Sequence, residues 1–161
     1  MQASGSNGRR SGAVGGPGSG GKPALVEALA FGSGSSRRHG AIKDGTTLTD
    51  YSPDEIERKH SIGLGLAFAE WMDTKLNLID VPGYLDFFGE AVTALHTADS
   101  AVVVLSGTSG VEVGTETVGE ICDQLHLPRS IFVSQKDKDP AEFERASNDE
   151  KSPHPPQAEP G

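Results

Sequence analysis

Aromatic residues make up only 6% of this chain, and cysteine occurs once, at Cys122. A lone cysteine excludes an internal disulfide framework and a multi-cysteine zinc site. It fits a reducing compartment. Long hydrophobic runs are also missing. The longest, Ala101 to Leu105, is far below the ~18 residues a membrane span needs, so no membrane partner is expected. No apolar stretch follows Arg9 and Arg10, so no secretory signal is read, and the expected location is the cytoplasm. His39, His60, His96, His126 and His154 are scattered, without the spacing of a metal-binding helix.

What is present suits one domain. The chain has 161 residues, 35% hydrophobic and 23% charged, enough for a single core and a monomer. The net charge of -9 is unevenly spread. Residues 1–43 hold six basic residues and one acid, whereas residues 44–161 hold eight basic and 22 acidic ones. An acidic body argues against DNA as a partner. The basic, glycine-rich start suggests a local anion site. Residues 1–13 read as a flexible arm and residues 148–161 as a disordered Pro-rich tail. Residues 14–147 are left as the domain.

Strand and helix signals alternate between these ends. Leu25, Ala28 and Leu29 predict one helix face. Residues 32–60 read as a long loop. Ile62, Leu64, Leu66 and Phe68 alternate as a strand. Trp71-Met-Asp-Thr then turns into a second strand, Lys75 to Asp80, giving a hairpin. Phe88, Ala91, Val92 and Leu95 predict a helix. Ala101–Leu105 predicts a buried strand. Val118, Ile121, Cys122 and Leu125 predict a helix stopped by Pro128. Ile131-Phe-Val133 predicts another buried strand, and Asp139-Pro140 the start of a last short helix. This order belongs to an α/β fold with a mostly parallel sheet. A clear first strand is missing. Only Ala13 and Val14 are apolar near the start, and Arg9 and Arg10 suit a buried central strand poorly.

Three segments could carry chemistry. Gly16-Pro-Gly-Ser-Gly-Gly21-Lys22-Pro23 matches all but the last position of a phosphate-binding loop. Its glycines free backbone N–H groups for phosphate oxygens, and a helix N-terminus follows. Pro23 breaks the pattern. It brings neither hydroxyl nor N–H, and it disfavours helical angles at Lys22. A Gly-rich linker that happens to contain a lysine is the alternative. Second, Leu76-Asn-Leu-Ile-Asp80-Val-Pro-Gly83 ends an apolar strand in a carboxylate and a glycine. Asp80 could hold a metal's water, and the Gly83 N–H could meet a terminal phosphate. Otherwise it is an ordinary Pro-Gly turn. Third, Asp137 follows a strand through Ser134, Gln135 and Lys136. Its carboxylate could accept the two N–H donors of a guanine edge.

Together these segments resemble the GTP-binding domain of translational GTPases, most closely elongation factor G and its elongation factor G-like paralogues. The resemblance covers about residues 13–146. It also rests on Asp44-Gly-Thr-Thr-Leu-Thr-Asp50, Glu57-Arg-Lys-His-Ser61-Ile and Ser109-Gly-Val-Glu-Val-Gly-Thr-Glu116. It implies a P-loop NTPase-like three-layer fold, here incomplete. It implies GTP as substrate, Mg2+ as cofactor, GTPase activity, and the ribosome as partner of complete relatives in protein biosynthesis.

By that resemblance Gly16, Gly18, Ser19, Gly20, Gly21, Lys22 and Pro23 would line the phosphates. Residues 32–60 would be the first switch loop. Ser61 and Asp80 would serve the metal, and Gly83 would sense the γ-phosphate. Tyr84 would orient the attacking water where most members have histidine; some paralogues carry tyrosine there. Asp137 would read guanine. Pro23 departs from the family's metal-binding threonine. Ser134 and Gln135 depart from its asparagine and lysine. These departures imply an impaired nucleotide site. The contrasting expectation is a degenerate, non-catalytic fragment that engages a protein through its acidic face.

Overall fold

A computed structural model of the chain describes residues 8–58, 60–83 and 88–137, with the side chain of Phe88 left aside. Tyr84, Phe87, the helix expected at Asp139-Pro140 and the tail 148–161 lie outside the described residues. The elements in chain order are β1 (Arg9–Gly15), α1 (Lys22–Gly32), α2 (Pro53–Arg58), β2 (Gly65–Trp71), β3 (Thr74–Asp80), α3 (Phe88–Thr97), β4 (Ser100–Ser106), α4 (Val113–Gln124) and β5 (Arg129–Ser134).

The strands form one sheet in the order β2-β3-β1-β4-β5. β1 pairs parallel with β3 and β4, and β4 parallel with β5. Only β2 is antiparallel, against β3. Alternate residues feed two cores, as the pleat requires. Val14, Leu78 and Val104 pack under Val26 of α1 on one face. Ala13, Ile79, Ala101 and Val103 pack under Ala91, Leu95, Val118 and Ile121 of α3 and α4 on the other. The result is three layers around a mostly parallel sheet, as the resemblance implied.

The first strand, which the sequence left in doubt, is the centre of the sheet. Its register explains why the arginines are tolerated. Arg9 and Arg10 pair only with β3, beside Lys75 and Leu76. Pairing with β4 begins later, at Gly12. The arginines therefore sit at an exposed end, and only Ala13 and Val14 enter the doubly covered region. The flexible arm drawn through residue 13 thus cuts into β1.

Other expectations are corrected in phase rather than in kind. α1 buries Val26, Glu27 and Ala30, not Ala28 and Leu29. In β2, Ala67 and Ala69 face the α1 core, while Leu66 is 70% exposed on the opposite face of this edge strand. β5 also lies at an edge of the described sheet, and Ile131 and Phe132 are exposed rather than buried. The segment 32–60 is more than a loop. It contains α2, and buried carboxylates fasten it, as described below.

The β2–β3 hairpin forms as expected. Met72 and Asp73 both adopt positive φ (46° and 59°), the twist-matched two-residue turn. α4 ends by a Schellman motif rather than at Pro128. His126 is left-handed (φ 52°), with His126 N–H donating to Asp123 O at 3.2 Å and Leu127 N–H to Cys122 O at 2.8 Å. A β-carbon is disfavoured there, and the ring is exposed. His126→Gly is therefore expected to stabilise the chain by about 1 kcal/mol. Urea denaturation would check it; an unchanged or lower midpoint would count against this account of the cap.

Candidate functional site

The site lies at the carboxyl ends of β1, β3 and β4. The chain winds from β1 through α1 to β3 on one side, and from β3 through α3 across to β4 on the other. Such a reversal opens a crevice in an α/β sheet. β1 delivers Gly16 to this edge with φ 131°. A β-carbon there would lie 2.3 Å from Val104 O, so only glycine fits. Gly18–Gly20 make one 3-10 turn and Gly21 is the N-cap of α1.

Lys22 is the first residue of α1, despite the proline after it. The missing Pro23 N–H falls in the first turn, where no helical carbonyl awaits it. The expected displacement of Lys22 from helical backbone is thus corrected. Its side chain is 2% exposed. Nζ donates to Gly16 O at 3.0 Å and Pro17 O at 2.7 Å, closing the loop into a ring. Burial pulls the ammonium down to about 8, against the raising charges of Asp80, Asp50 and Glu112. Ser19 Oγ donates to Glu112 Oε1 at 2.8 Å, which ties the loop to the cap of α4.

Gly83 rests directly on this loop. A β-carbon on it would lie 2.3 Å from Gly18 N and 2.5 Å from Lys22 Nζ. Asp80 ends β3 with no exposure. Its Oδ2 accepts from Thr49 Oγ1 at 2.7 Å, while Oδ1 has no hydrogen-bond partner. Desolvation pushes the carboxyl up to about 7, opposed by Thr49 and Lys22 and reinforced by the charge of Asp50.

Asp50 is 4% exposed. Its Oδ1 accepts from Ser61 Oγ at 2.7 Å, and its Oδ2 is likewise unpartnered. Lys22, Pro23, Asp50, Ser61 and Gly83 line a cleft of about 190 Å3. That is smaller than the ~300–1,000 Å3 usual for a whole small ligand, and suits the phosphate end of one.

On the far side, Ser134 Oγ reaches Gly20 O (2.8 Å) and Leu105 O (3.0 Å). Gln135 Nε2 donates to Ser19 O at 2.8 Å. The two residues that depart from the family pattern therefore pin the segment after β5 to the phosphate loop. Asp137 is exposed in the turn beyond them. Tyr84 is outside the described residues, so its place at the site stays an expectation.

Sequence reading missed the carboxylates that hold the loop. Glu27 accepts the N–H groups of Gly40 (2.8 Å) and Leu48. Glu55 accepts those of Ser52, Ile62 and Gly63. Thr49 and Asp50 then reach Asp80 and Ser61. The one available signal was Glu27 on the same helix stripe as Pro23, Val26 and Ala30. Asp50 entered only as the last residue of the Asp44–Asp50 segment, with no role of its own.

A metal fits part of this set. Asp80, Asp50 and Ser61 offer only oxygens, the donors that hard cations such as Mg2+ prefer. Two buried carboxylate oxygens there lack a partner. Pro23 offers no side-chain oxygen. Among the described residues there is no group of three or more His, Cys, Asp or Glu able to cage a metal. Also among these residues, no helix is long and apolar enough to cross a membrane.

The raised carboxyl of Asp80 sets a pH dependence. Its folded pKa, about 7, exceeds the 3.8 of the free group. The stability it contributes is full below pH ~4 and lost as pH rises toward 7. Asp80→Asn should therefore lose less stability than the parent chain between pH 4.5 and 7 in EDTA. Equal slopes in thermal melts would contradict this.

The family model described as the elongation factor Tu GTP-binding domain matches residues 9–154. The elongation factor G-like protein of Mycobacterium tuberculosis is 35% identical over 144 residues, covering 89% of this chain and 20% of that protein. The mitochondrial ribosome-releasing factor 2 of Drosophila melanogaster is 40% identical over 129 residues, covering 80% and 17%. A crystal structure of a Thermus thermophilus protein superposes with a TM-score of 0.81 at 36% identity, covering 87% of this chain and 22% of that one. The chain thus spans about a fifth of the length of the curated relatives it matches. A glycine loop closed by a buried lysine, a carboxylate at the end of β3 and the matching family model agree: the chain belongs to the family of the elongation factor Tu GTP-binding domain.

Proposed function

We propose that this chain binds GTP and hydrolyses it, as the GTP-binding domain of an elongation factor G-like translation factor whose complete form works on the ribosome. The observation that carries the reading is the closed ring of Lys22 on Gly16 O and Pro17 O, with Gly83 seated on it and Asp80 buried behind. It is a phosphate cradle with its counter-charge in place. Phosphoryl transfer needs positioning and charge neutralisation more than covalent help from the protein.

Each residue then has a task. Lys22 exchanges its two carbonyl partners for phosphate oxygens. The backbone of Gly18–Gly21 and the start of α1 wrap the same anion. The Gly83 N–H meets the terminal phosphate, and Tyr84 orients the attacking water. Ser134 and Gln135 hold the base-side segment in place, and Asp137 accepts from guanine. Mg2+, when bound, neutralises phosphate charge; Asp80, Ser61 and Asp50 are the residues that would hold it. The domain acts in the cytoplasm, as a monomer, without membrane or DNA.

Pro23 favours a second reading, a family fold without turnover that serves as a protein-binding module. A fluorescent GTP analogue titrated into the purified chain separates the two. Mg2+-dependent binding that resists ATP, together with phosphate release, is the expected result. No binding with or without Mg2+ would leave the second reading standing.

A further inference from the structure

Part of the cleft wall is a lobe, residues 40–48, that one buried acid closes at its neck. The lobe folds on itself. Thr46 N–H donates to Ala41 O at 3.2 Å and Ala41 N–H to Thr46 Oγ1 at 3.0 Å. Arg38 Nη2 donates to Thr46 O at 3.0 Å. The two ends of the lobe meet at Glu27, which is 1% exposed. Its Oε2 accepts from Gly40 N–H at 2.8 Å and its Oε1 from Leu48 N–H. Hydrogen bonds from amides to a carboxylate are among the stronger kinds. Ile42, inside the lobe, and Asp50, just past its end, both line the cleft, whereas Glu27 does not. Thr49, between them, is 2% exposed and donates to Asp80. Glu27 lies one and a half turns beyond Lys22 on α1, about 7–8 Å along the helix. One helix thus carries the lysine that closes the phosphate loop and the acid that closes the lobe.

We propose that Glu27 is the latch of this cleft wall, a positioning residue that sets how long a bound nucleotide is retained. Opening the lobe breaks both hydrogen bonds together and leaves a buried carboxylate without donors, an unfavourable state. The lobe therefore opens as one unit, taking Ile42 from the cleft while the sheet stays intact. The retention role rests on the GTP-binding reading; the latch itself does not.

Trypsin reads the latch in the chain alone. Lys43 is exposed within the lobe, and Lys75 lies in β3. Glu27→Gln keeps the volume but turns one acceptor oxygen into an NH2 group that faces a backbone N–H. Cleavage at Lys43 is expected to quicken about tenfold relative to Lys75. Gly40→Ala should do the same with the acid intact, because its β-carbon would lie 2.2 Å from Thr46 O. A residue that merely supports the fold would raise both cleavages together. A parallel rise, or none, overturns the proposal. Urea melts check that the variants fold. Should Glu27→Gln fail to fold, Gly40→Ala carries the test, and parental cleavage at Lys43 in it overturns the latch. Stopped-flow release of a fluorescent GTP analogue then reads the retention role. Dissociation is expected to be about tenfold faster in Glu27→Gln with association unchanged, and equal dissociation overturns that role. If the parent chain binds no analogue, the retention role falls with the GTP-binding reading, and cleavage at Lys43 still decides the latch.

Discussion

Replacing Gly83 by alanine is expected to lower nucleotide affinity by a hundredfold or more. The added β-carbon would meet Gly18 N at 2.3 Å and Gly18 Cα at 2.6 Å. Both are backbone atoms of the phosphate loop and cannot swing aside. It would also press on Lys22 Nζ, at 2.5 Å, which is already committed to two carbonyls. Either the loop shifts and its N–H groups lose their aim, or Gly83 lifts and its own N–H leaves the terminal phosphate. Overpacking of this kind costs about 1–3 kcal/mol of stability as well. Calorimetric titration with GTP, beside a urea melt, reads both effects. Unaltered affinity would mean that Gly83 does not sit against the phosphates.

Pro23→Thr is expected to raise Mg2+-dependent GTP affinity by at least tenfold, about 1.4 kcal/mol. Threonine restores two things at once, a hydroxyl for the cation and an N–H in the first turn of α1. Proline is tolerated there by the helix, so the gain belongs to the ligand rather than to folding. Pro23→Ala separates the two contributions, since alanine restores only the N–H. The affinity of Pro23→Thr should drop toward that of Pro23→Ala in EDTA. An equal gain for both variants in Mg2+ would assign the defect to the backbone and not to the metal.

Much of the fold was legible because its elements announce themselves locally. Ala101–Leu105, the Trp71–Thr74 hairpin and the Val118/Ile121/Cys122 stripe each carry their own period. What misled were positions decided by neighbours far along the chain. Arg9 and Arg10 look wrong for a central strand until the register shows that β4 does not reach them. Leu66 and Phe68 look like the inner face of β2, but the helix over that strand is α1, which takes the alanines. Ile131 and Phe132 are apolar enough to suggest burial, yet β5 is an edge in the described sheet.

The site divided in the same way. Gly16–Lys22, Asp80 and Gly83 could be read because a phosphate loop and a strand-end carboxylate are contiguous motifs. Asp50, Glu27 and Glu55 could not, since each acts on groups brought close only by folding. Glu27 clasps Leu48 and Gly40, and Asp50 meets Ser61. A buried acid holding loop amides has the same letters as a solvated one. The roles of Ser134 and Gln135 were hidden for a related reason. Their contacts are with the loop at Ser19 and Gly20, across the sheet edge from β5.

The central place of β1 has a consequence for how this chain is made. β1 leaves the ribosome well ahead of the strands it pairs with. Arg9 pairs with Lys75 and Gly12 with Ser100. At roughly 5–20 residues per second, the innermost strand waits about 5–20 s before both its edges can be filled. Ala13 and Val14, the least exposed residues of that strand, spend this time without a sheet. Sheets whose central pairings span such distances form late and are open to misassociation meanwhile. The strand that the glycine loop hangs from is thus secured only once β4 has emerged, and the phosphate cradle can form only after it.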